Sequence, residues 1–217
     1  MIRRLDLPDS GAPAEGAIRF APSAARNLEP IAAVLAGHLP ERGRALEIAS
    51  GTGQHVVAFA ARFAGLDWQP SDLDPENLAS IRARAAEAAL PNLRDPIRLD
   101  ACAPGWGAGR GWDAICLTNL LHLISVPETE ALLAEVARAL APGGAFALYG
   151  PFRQDGALVS EGDRAFDASL RAQDPAIGYK DIEWVEERLA AGGLVRRLRQ
   201  PMPANNLMLV TERPATA

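Results

Sequence analysis

The stretch Ala45-Leu46-Glu47-Ile48-Ala49-Ser50-Gly51-Thr52-Gly53-Gln54 decides how the rest of this chain is read. Residues 44–50 are short and apolar, as a buried strand is, and they run into Gly-Thr-Gly. Val56, Val57, Ala60 and Phe63 then return at helical spacing. A strand that turns through glycines into a helix is the ligand-binding corner of an open parallel sheet. Gly51 and Gly53 carry no Cβ, so the chain turns sharply there and a ligand can approach the backbone. The dinucleotide fingerprint requires a small residue at the third glycine position, which Val56 occupies. Glu47 is an acid inside an apolar strand and is costly unless it meets donors or a cation. A pyrophosphate would worsen that cost, whereas a cationic or amine-bearing ligand would relieve it. The segment therefore argues against NAD and FAD.

Working outward, the alternation continues. Residues 66–71 read as a second strand, and Asp74-Pro75 supplies an N-cap and first-turn proline for Leu78, Ile81 and Ala85. Residues 97–99 and 112–117 are further strands, and Ser125 with Glu128 forms a capping box. That helix stops at Ala141-Pro142-Gly143-Gly144, before a fifth strand at residues 145–149. Upstream, Leu28, Ile31, Leu35 and Leu39 predict a helix capped by Asn27, after an irregular lead-in. Downstream, residues 151–180 form a polar connection with a short helix near 161–171. Asp181 caps another helix ending at Gly192-Gly193. Two last strands, 194–199 and 206–211, suit an antiparallel edge pair. Repeated strand-helix units predict an α/β fold, a doubly wound and mostly parallel sheet. No repeat or linker divides it, so one domain is expected across 1–217, with 1–26 as a cap and 151–180 as a lid-like insertion.

Composition sets the outer bounds. The chain has 217 residues, 48% hydrophobic and 23% charged, which suits a globular domain with a sizeable core. Net charge is −5, from 22 basic and 27 acidic residues, so no broad positive field exists for nucleic acid. Two cysteines make no disulfide framework, and three separated histidines give no metal-ligand spacing. The N-terminus lacks a signal-peptide pattern and no long apolar run spans a membrane, so a cytoplasmic protein is expected. Lys180 is the only lysine, read here as a compositional bias.

Acids also end the next two strands. Asp72 lies 21 positions after Gly51, where a carboxylate accepts ribose hydroxyls, and Asp100, before Ala101, is placed for an adenine amino group. With these residues in view, the chain resembles class I S-adenosylmethionine (SAM)-dependent methyltransferases. More narrowly, it resembles a widespread methyltransferase-like family of unassigned substrate. The likeness rests on residues 46–55, Trp68-Gln69-Pro70-Ser71-Asp72, Tyr149-Gly150-Pro151-Phe152, Ser23-Ala24-Ala25-Arg26-Asn27 and Pro203-Ala204-Asn205-Asn206. Ala49 departs from the usual first glycine. The resemblance implies a seven-stranded Rossmann-like sheet with the last strand antiparallel. It implies that Glu47 and the Gly51-Thr52-Gly53 backbone hold the methionine part of SAM, with Ser50 and Gln54 also against the cofactor. It assigns Asp72 and Leu73 to the ribose side, Asp100 and Ala101 to adenine, and the Thr118-Asn119 backbone to the sulfonium.

Methyl transfer from a sulfonium is an in-line displacement with a neutral leaving group, so alignment and water exclusion matter most. His122, just after the fourth strand, is the base candidate. Tyr149, at the same rim, is placed to orient an acceptor or meet the sulfonium through its ring. Arg26 and Asn27 are expected to close over SAM. Phe152, Asn205 and Asn206, with Phe166, Asp167 and Arg171 of the insertion, are expected on the acceptor side. The expected activity is methyl transfer to a small molecule. A protein or RNA methyltransferase, supported only by Arg196, Arg197 and Arg199, and a non-catalytic SAM-binding regulator are the alternatives. Oligomeric state is not legible.

Overall fold

The structure is a computed structural model describing residues 4–7 and 14–215. Residues 1–3 and 8–13 of the expected lead-in lie outside the described residues, as do 216–217.

Seven strands form one sheet: β1 (Gly43–Ile48), β2 (Leu66–Asp72), β3 (Ile97–Arg98), β4 (Trp112–Thr118), β5 (Leu140–Pro151), β6 (Val195–Pro201) and β7 (Asn206–Glu212). Their order is β3-β2-β1-β4-β5-β7-β6. β7 pairs antiparallel with both β5 and β6, and the other pairings are parallel. The last strand alone is therefore reversed, as expected. Strand order reverses between β1 and β4, which opens a crevice beyond their carboxyl ends.

Six helices cover the two faces: α1 (Pro22–Leu35), α2 (Gln54–Arg62), α3 (Pro75–Ala88), α4 (Val126–Ala139), α5 (Glu161–Gln173) and α6 (Ile182–Ala191). Strand side chains alternate between faces, so each face has its own core. Leu46, Ile48, Ile115 and Leu117 pack with Leu132, Val136, Val185 and Leu189 of α4 and α6. Ala45, Cys116, Ala147 and Tyr149 pack with Ile31, Leu35, Phe59 and Ile81 of α1, α2 and α3. Glu47 shares the strand phase of Ala45, which aims it at the second face. A smaller cluster of Leu170, Ile177 and Tyr179, joined by Leu5, Leu7 and Phe166, ties the N-terminal segment to α5.

The expected caps are present. Asp74 accepts the Glu76 N–H, Ser125 and Glu128 form their box, and Asp181 accepts the Glu183 N–H. Two boundaries differ. α1 begins at Pro22, because proline at the first helical position presets φ without a side-chain cap. Asn27 is therefore inside α1 rather than at its cap, and its side chain is released for the site. β5 begins at Leu140 rather than residue 145. Trp112 pairs with Leu140 and Ala114 with Ala145, so residues 141–144 loop out between two registered pairs. The lead-in also holds structure, since Ala14–Glu15 and Ile18–Arg19 form a small hairpin. Its Arg19 N–H donates to Ser80 Oγ on α3 at 2.9 Å.

Candidate functional site

The Gly-x-Gly turn is built from left-handed backbone. Ala49, Gly51 and Gly53 have φ of 53°, 56° and 84°. A Cβ on Gly53 would lie 3.1 Å from the Ile81 Cα, so glycine there lets α3 pack close. A Cβ on Gly51 would meet nothing nearer than 4.0 Å, so glycine there leaves the turn's outer surface open. Ser80 Oγ and Arg84 Nε both donate to the Thr52 carbonyl, at 2.9 and 3.0 Å, and clamp the loop from α3. Gln54 Oε1 accepts from Thr52 Oγ1 at 2.9 Å and from the Ala21 N–H at 2.6 Å, so Gln54 fastens α1 to the turn.

Glu47 lies under this turn, 2% exposed, and its Oε2 has no hydrogen-bond partner. Burial pushes its carboxyl up to about 8, and the Asp72 charge adds to this while Ser50 opposes it. The Ser71 and Ser50 hydroxyls also lie within 2.8 and 3.3 Å of the Glu47 main-chain carbonyl, and Oε2 of the carboxyl is left without a partner. Asp72 accepts the Gly51 N–H at 2.8 Å on one oxygen and the Asp74 N–H at 2.9 Å on the other. The Asn77 side chain donates a third bond to this carboxylate, which leaves it one lone pair for a further donor. Burial raises the Asp72 pKa despite those bonds. Leu73 follows, half-buried. Asp100 Oδ1 accepts the Cys102 N–H at 3.1 Å, and Ala101 is buried beside it.

Three more residues meet at the β1–β4–β5 rim. His55 Nε2 lies 2.7 Å from Asn27 Oδ1, and the Tyr149 hydroxyl is hydrogen-bonded to the same Asn27 side chain. Burial pushes His55 down to about 4 and pushes the Tyr149 phenol up, so both are neutral at working pH. Asn119 has φ of 55° and donates its N–H to the Tyr149 carbonyl at 2.9 Å, which fixes the turn after β4. Arg26 lies exposed on α1.

His122 is buried in a short 3-10 turn (Leu121–Leu123) on the other side of Asn119. Its ring touches Phe166 and Tyr179, with centroids at 5.8 and 6.1 Å. Among the described residues its ring nitrogens have no hydrogen-bond partner. Burial, with the Lys180 charge adding to it, pushes His122 down to about 3. Lys180 is buried and donates to the carbonyls of Ile124 at 2.6 Å and Gly178 at 2.8 Å. The sole lysine is therefore a tie between two loops, a role that composition did not reveal. Asp163 accepts from the Tyr179 hydroxyl at 3.3 Å and from Asn205 Nδ2 at 3.2 Å. Phe152 joins the α4–α6 core at 2% exposure, so it anchors the insertion from below. Asn206 closes its own turn onto the Pro203 and Ala204 carbonyls.

Sequence reasoning gave the Ser80–Arg84 clamp, Tyr179, Asp163 and Lys180 no place here, and it took His55, the last residue of the 46–55 motif, as structural. Beyond that motif the lone lysine was the available signal. Arg196, Arg197 and Arg199 pair with Glu186, Glu212 and Glu183, at 3.0, 2.8 and 2.6 Å, so this strip is no free basic surface.

Residues 18–213 match the DUF938 family, described as a protein of unknown function. The chain belongs to that family. The DUF938 chain is also 35% identical over 113 residues to the biotin biosynthesis bifunctional protein BioCD of Bordetella avium, covering 51% of this chain and 22% of that one. Among solved structures it resembles an O-methyltransferase family protein from Burkholderia thailandensis, with TM-score 0.77 and 16% identity over 90% of this chain and 58% of that one. It also resembles an O-methyltransferase family 2 protein from Planctomyces limnophilus in complex with apigenin, with TM-score 0.72 and 18% identity over 88% and 59%. The chain thus spans less than two thirds of these relatives. The likenesses establish the fold, which is that of class I SAM-dependent methyltransferases. No helix among the described residues is long and apolar enough to cross a membrane.

Proposed function

We propose that this chain is a SAM-dependent methyltransferase whose acceptor is a small molecule. The observation that carries the reading is Glu47 Oε2, a buried carboxylate oxygen without a partner beneath an open glycine turn. A cationic ligand group relieves that cost, and the α-ammonium of SAM is such a group. The donor set fits the remainder of SAM as well. Asp72 retains acceptor capacity for a ribose hydroxyl, Asp100 retains one oxygen for the adenine amino group, and Gly51 and Gly53 let backbone approach the methionine part. Ser50, Thr52 and Gln54 shape that turn, while Leu73 and Ala101 supply apolar surface. Exposed Arg26 is within the segment that reaches this edge.

When bound, SAM supplies a methyl activated by a sulfonium. His122 and Tyr149 are the residues proposed to act on the acceptor. His122 is neutral and holds unpartnered nitrogens, so it accepts a hydrogen bond from the acceptor's hydroxyl or amine and aligns its lone pair. A depressed imidazole is a weak base for removing a proton early. The protonated ether formed on an alcohol is a far stronger acid than any imidazolium, so His122 still takes that proton once the bond to methyl has formed. Tyr149, held by Asn27, presents its ring at the rim beside Asn119. Asn205 and the α5 segment lie over the acceptor side. Neither Cys102 nor Cys116 is in a disulfide, in keeping with the cytoplasmic setting of this reading.

Calorimetric titration with SAM and with S-adenosylhomocysteine tests the cofactor half, with Asp72→Ala as control. Absence of binding by wild type at sub-millimolar ligand overturns it. Transfer of tritiated methyl to fractions of small-molecule extract tests turnover. Tight binding with no transfer to any fraction would instead support the regulatory reading.

A further inference from the structure

Arg19 stands in the small hairpin ahead of α1, in the segment that the sequence presents as an irregular lead-in. Its backbone is seated on α3. Its N–H donates to Ser80 Oγ at 2.9 Å, and its carbonyl accepts from Arg84 Nη2 at 2.5 Å. These are the two side chains that clamp the Thr52 carbonyl, at 2.9 and 3.0 Å. Two residues on, the Ala21 N–H shares Gln54 Oε1 with Thr52 Oγ1. The hairpin and the glycine turn therefore hang on one set of side chains, which fixes where the Arg19 guanidinium lies relative to that turn.

The guanidinium reaches a second part of the site. Its Nη1 donates to Asn77 Oδ1 at 2.8 Å. The Asn77 side chain in turn donates to the Asp72 carboxylate. A carboxamide has one acceptor end and one donor end. With Oδ1 taken by Arg19, Asn77 faces Asp72 with its Nδ2. Without Arg19 nothing holds the amide in that sense, and its oxygen turned towards Asp72 would repel the carboxylate. The other contact of the guanidinium, with Glu76 at 3.7 Å, is a pair of half-exposed charges and contributes little.

We propose that Arg19 is a positioning residue for the cofactor: through Asn77 it holds the Asp72 carboxylate in the orientation that the bound ligand meets. The ligand's identity rests on the methyltransferase reading, whereas the link from Arg19 to Asp72 does not.

The test is a double-mutant cycle on the full chain, read as S-adenosylhomocysteine affinity by calorimetry. Alanine at position 19 keeps the backbone bonds to Ser80 and Arg84, so the cycle isolates the path through Asn77. Arg19→Ala and Asn77→Ala should each weaken binding about 3- to 30-fold, and the double variant should bind no more weakly than Asn77→Ala alone. Arg19→Lys keeps one donor for Asn77 Oδ1 and should recover part of the loss. Glu76→Ala removes only the exposed ion pair and should leave affinity within about twofold. In the ligand-free chain, hydrogen exchange of the Gly51 N–H, which donates to Asp72 at 2.8 Å, should quicken about 3- to 30-fold in Arg19→Ala. It should quicken no further in the double variant than in Asn77→Ala.

Unchanged affinity or unchanged Gly51 exchange in Arg19→Ala, additive losses in the double variant, or an equal loss in Glu76→Ala each overturns the proposal. So does a lowered melting midpoint with affinity intact, the mark of a merely structural contact. If S-adenosylhomocysteine does not bind wild type while Gly51 exchange follows the cycle, Arg19 still positions Asp72 and the methyltransferase reading falls. If it binds wild type and Arg19→Ala alike, that reading stands and the proposal falls.

Discussion

Replacing Glu47 by Gln removes one ionisable group and almost no volume, and its effect follows from the burial of that side chain. In the folded chain the carboxyl is held at about 8, against an ordinary value near 4.5. Between those two pH values the folded chain keeps a proton that the unfolded chain has released. Stability must therefore fall as pH rises through this window, by about 1.4 kcal/mol per pH unit. From pH 5.5 to 7.5 the loss is about 2.5 kcal/mol, which at roughly 2–4 °C per kcal/mol lowers the melting midpoint by roughly 5–10 °C. Glu47→Gln abolishes this contribution, so the difference between wild-type and variant midpoints should widen with pH by that amount. A cation placed on Glu47 by a ligand reverses the preference. At pH 7 about 0.9 proton should then leave on binding SAM, seen as a calorimetric enthalpy that depends on the buffer's ionisation heat. Glu47→Gln should show no such dependence. Equal pH slopes in the two proteins would refute the reasoning, as would buffer-independent binding heat in wild type.

The two turn glycines should separate stability from ligand binding. Gly53→Ala drives a Cβ to 3.1 Å from Ile81 at φ 84°, so a loss of at least about 1–2 kcal/mol is expected in denaturant melts. Gly51→Ala has open space, so its smaller loss in stability should accompany a larger loss in S-adenosylhomocysteine affinity. His122→Ala is expected to lower kcat by only about tenfold, the loss of one aligning hydrogen bond, because the proton leaves after the bond to methyl has formed. Because burial holds His122 near 3, the wild-type rate should show no histidine limb between pH 5 and 8, and a limb near 6.5 would contradict its buried, neutral state. Lys180→Met strips the donor from the Ile124 and Gly178 carbonyls, and should cost about 1–3 kcal/mol per stranded carbonyl in melts.

The glycine turn and the acids at the strand ends were readable because their signals are local. A strand's apolar run, the glycines that follow it and the acid at its end lie within ten residues of one another, and their spacing alone places them at one sheet edge. Asp74, Ser125 and Asp181 were readable as caps for the same reason. The start of α1 was not, because Pro22 begins a helix without the side-chain cap that marked Asn27. Nor was the clamp on the glycine turn, since Ser80 and Arg84 lie about thirty residues beyond Thr52 and meet it only once α3 has packed. Lys180 looked like bias because nothing in its neighbours foretells that it reaches the loop after β4.

The insertion resists reading for a further reason, visible in α5. Asp163, Phe166, Asp167 and Leu170 fall at the i, i+3, i+4 and i+7 spacing of a buried helical stripe, yet half of that stripe is acid. Two buried carboxylates are expensive, and each is tolerated here through partners within α5 and from distant segments. Ser160 at the helix cap, Tyr179 and Asn205 serve Asp163, while Arg171, Arg153 and the Tyr179 N–H serve Asp167. Asp163 closes the capping box and Asp167 ties α5 to the segment before α6, so the polar half of the stripe positions the helix through contacts that helical spacing alone does not announce.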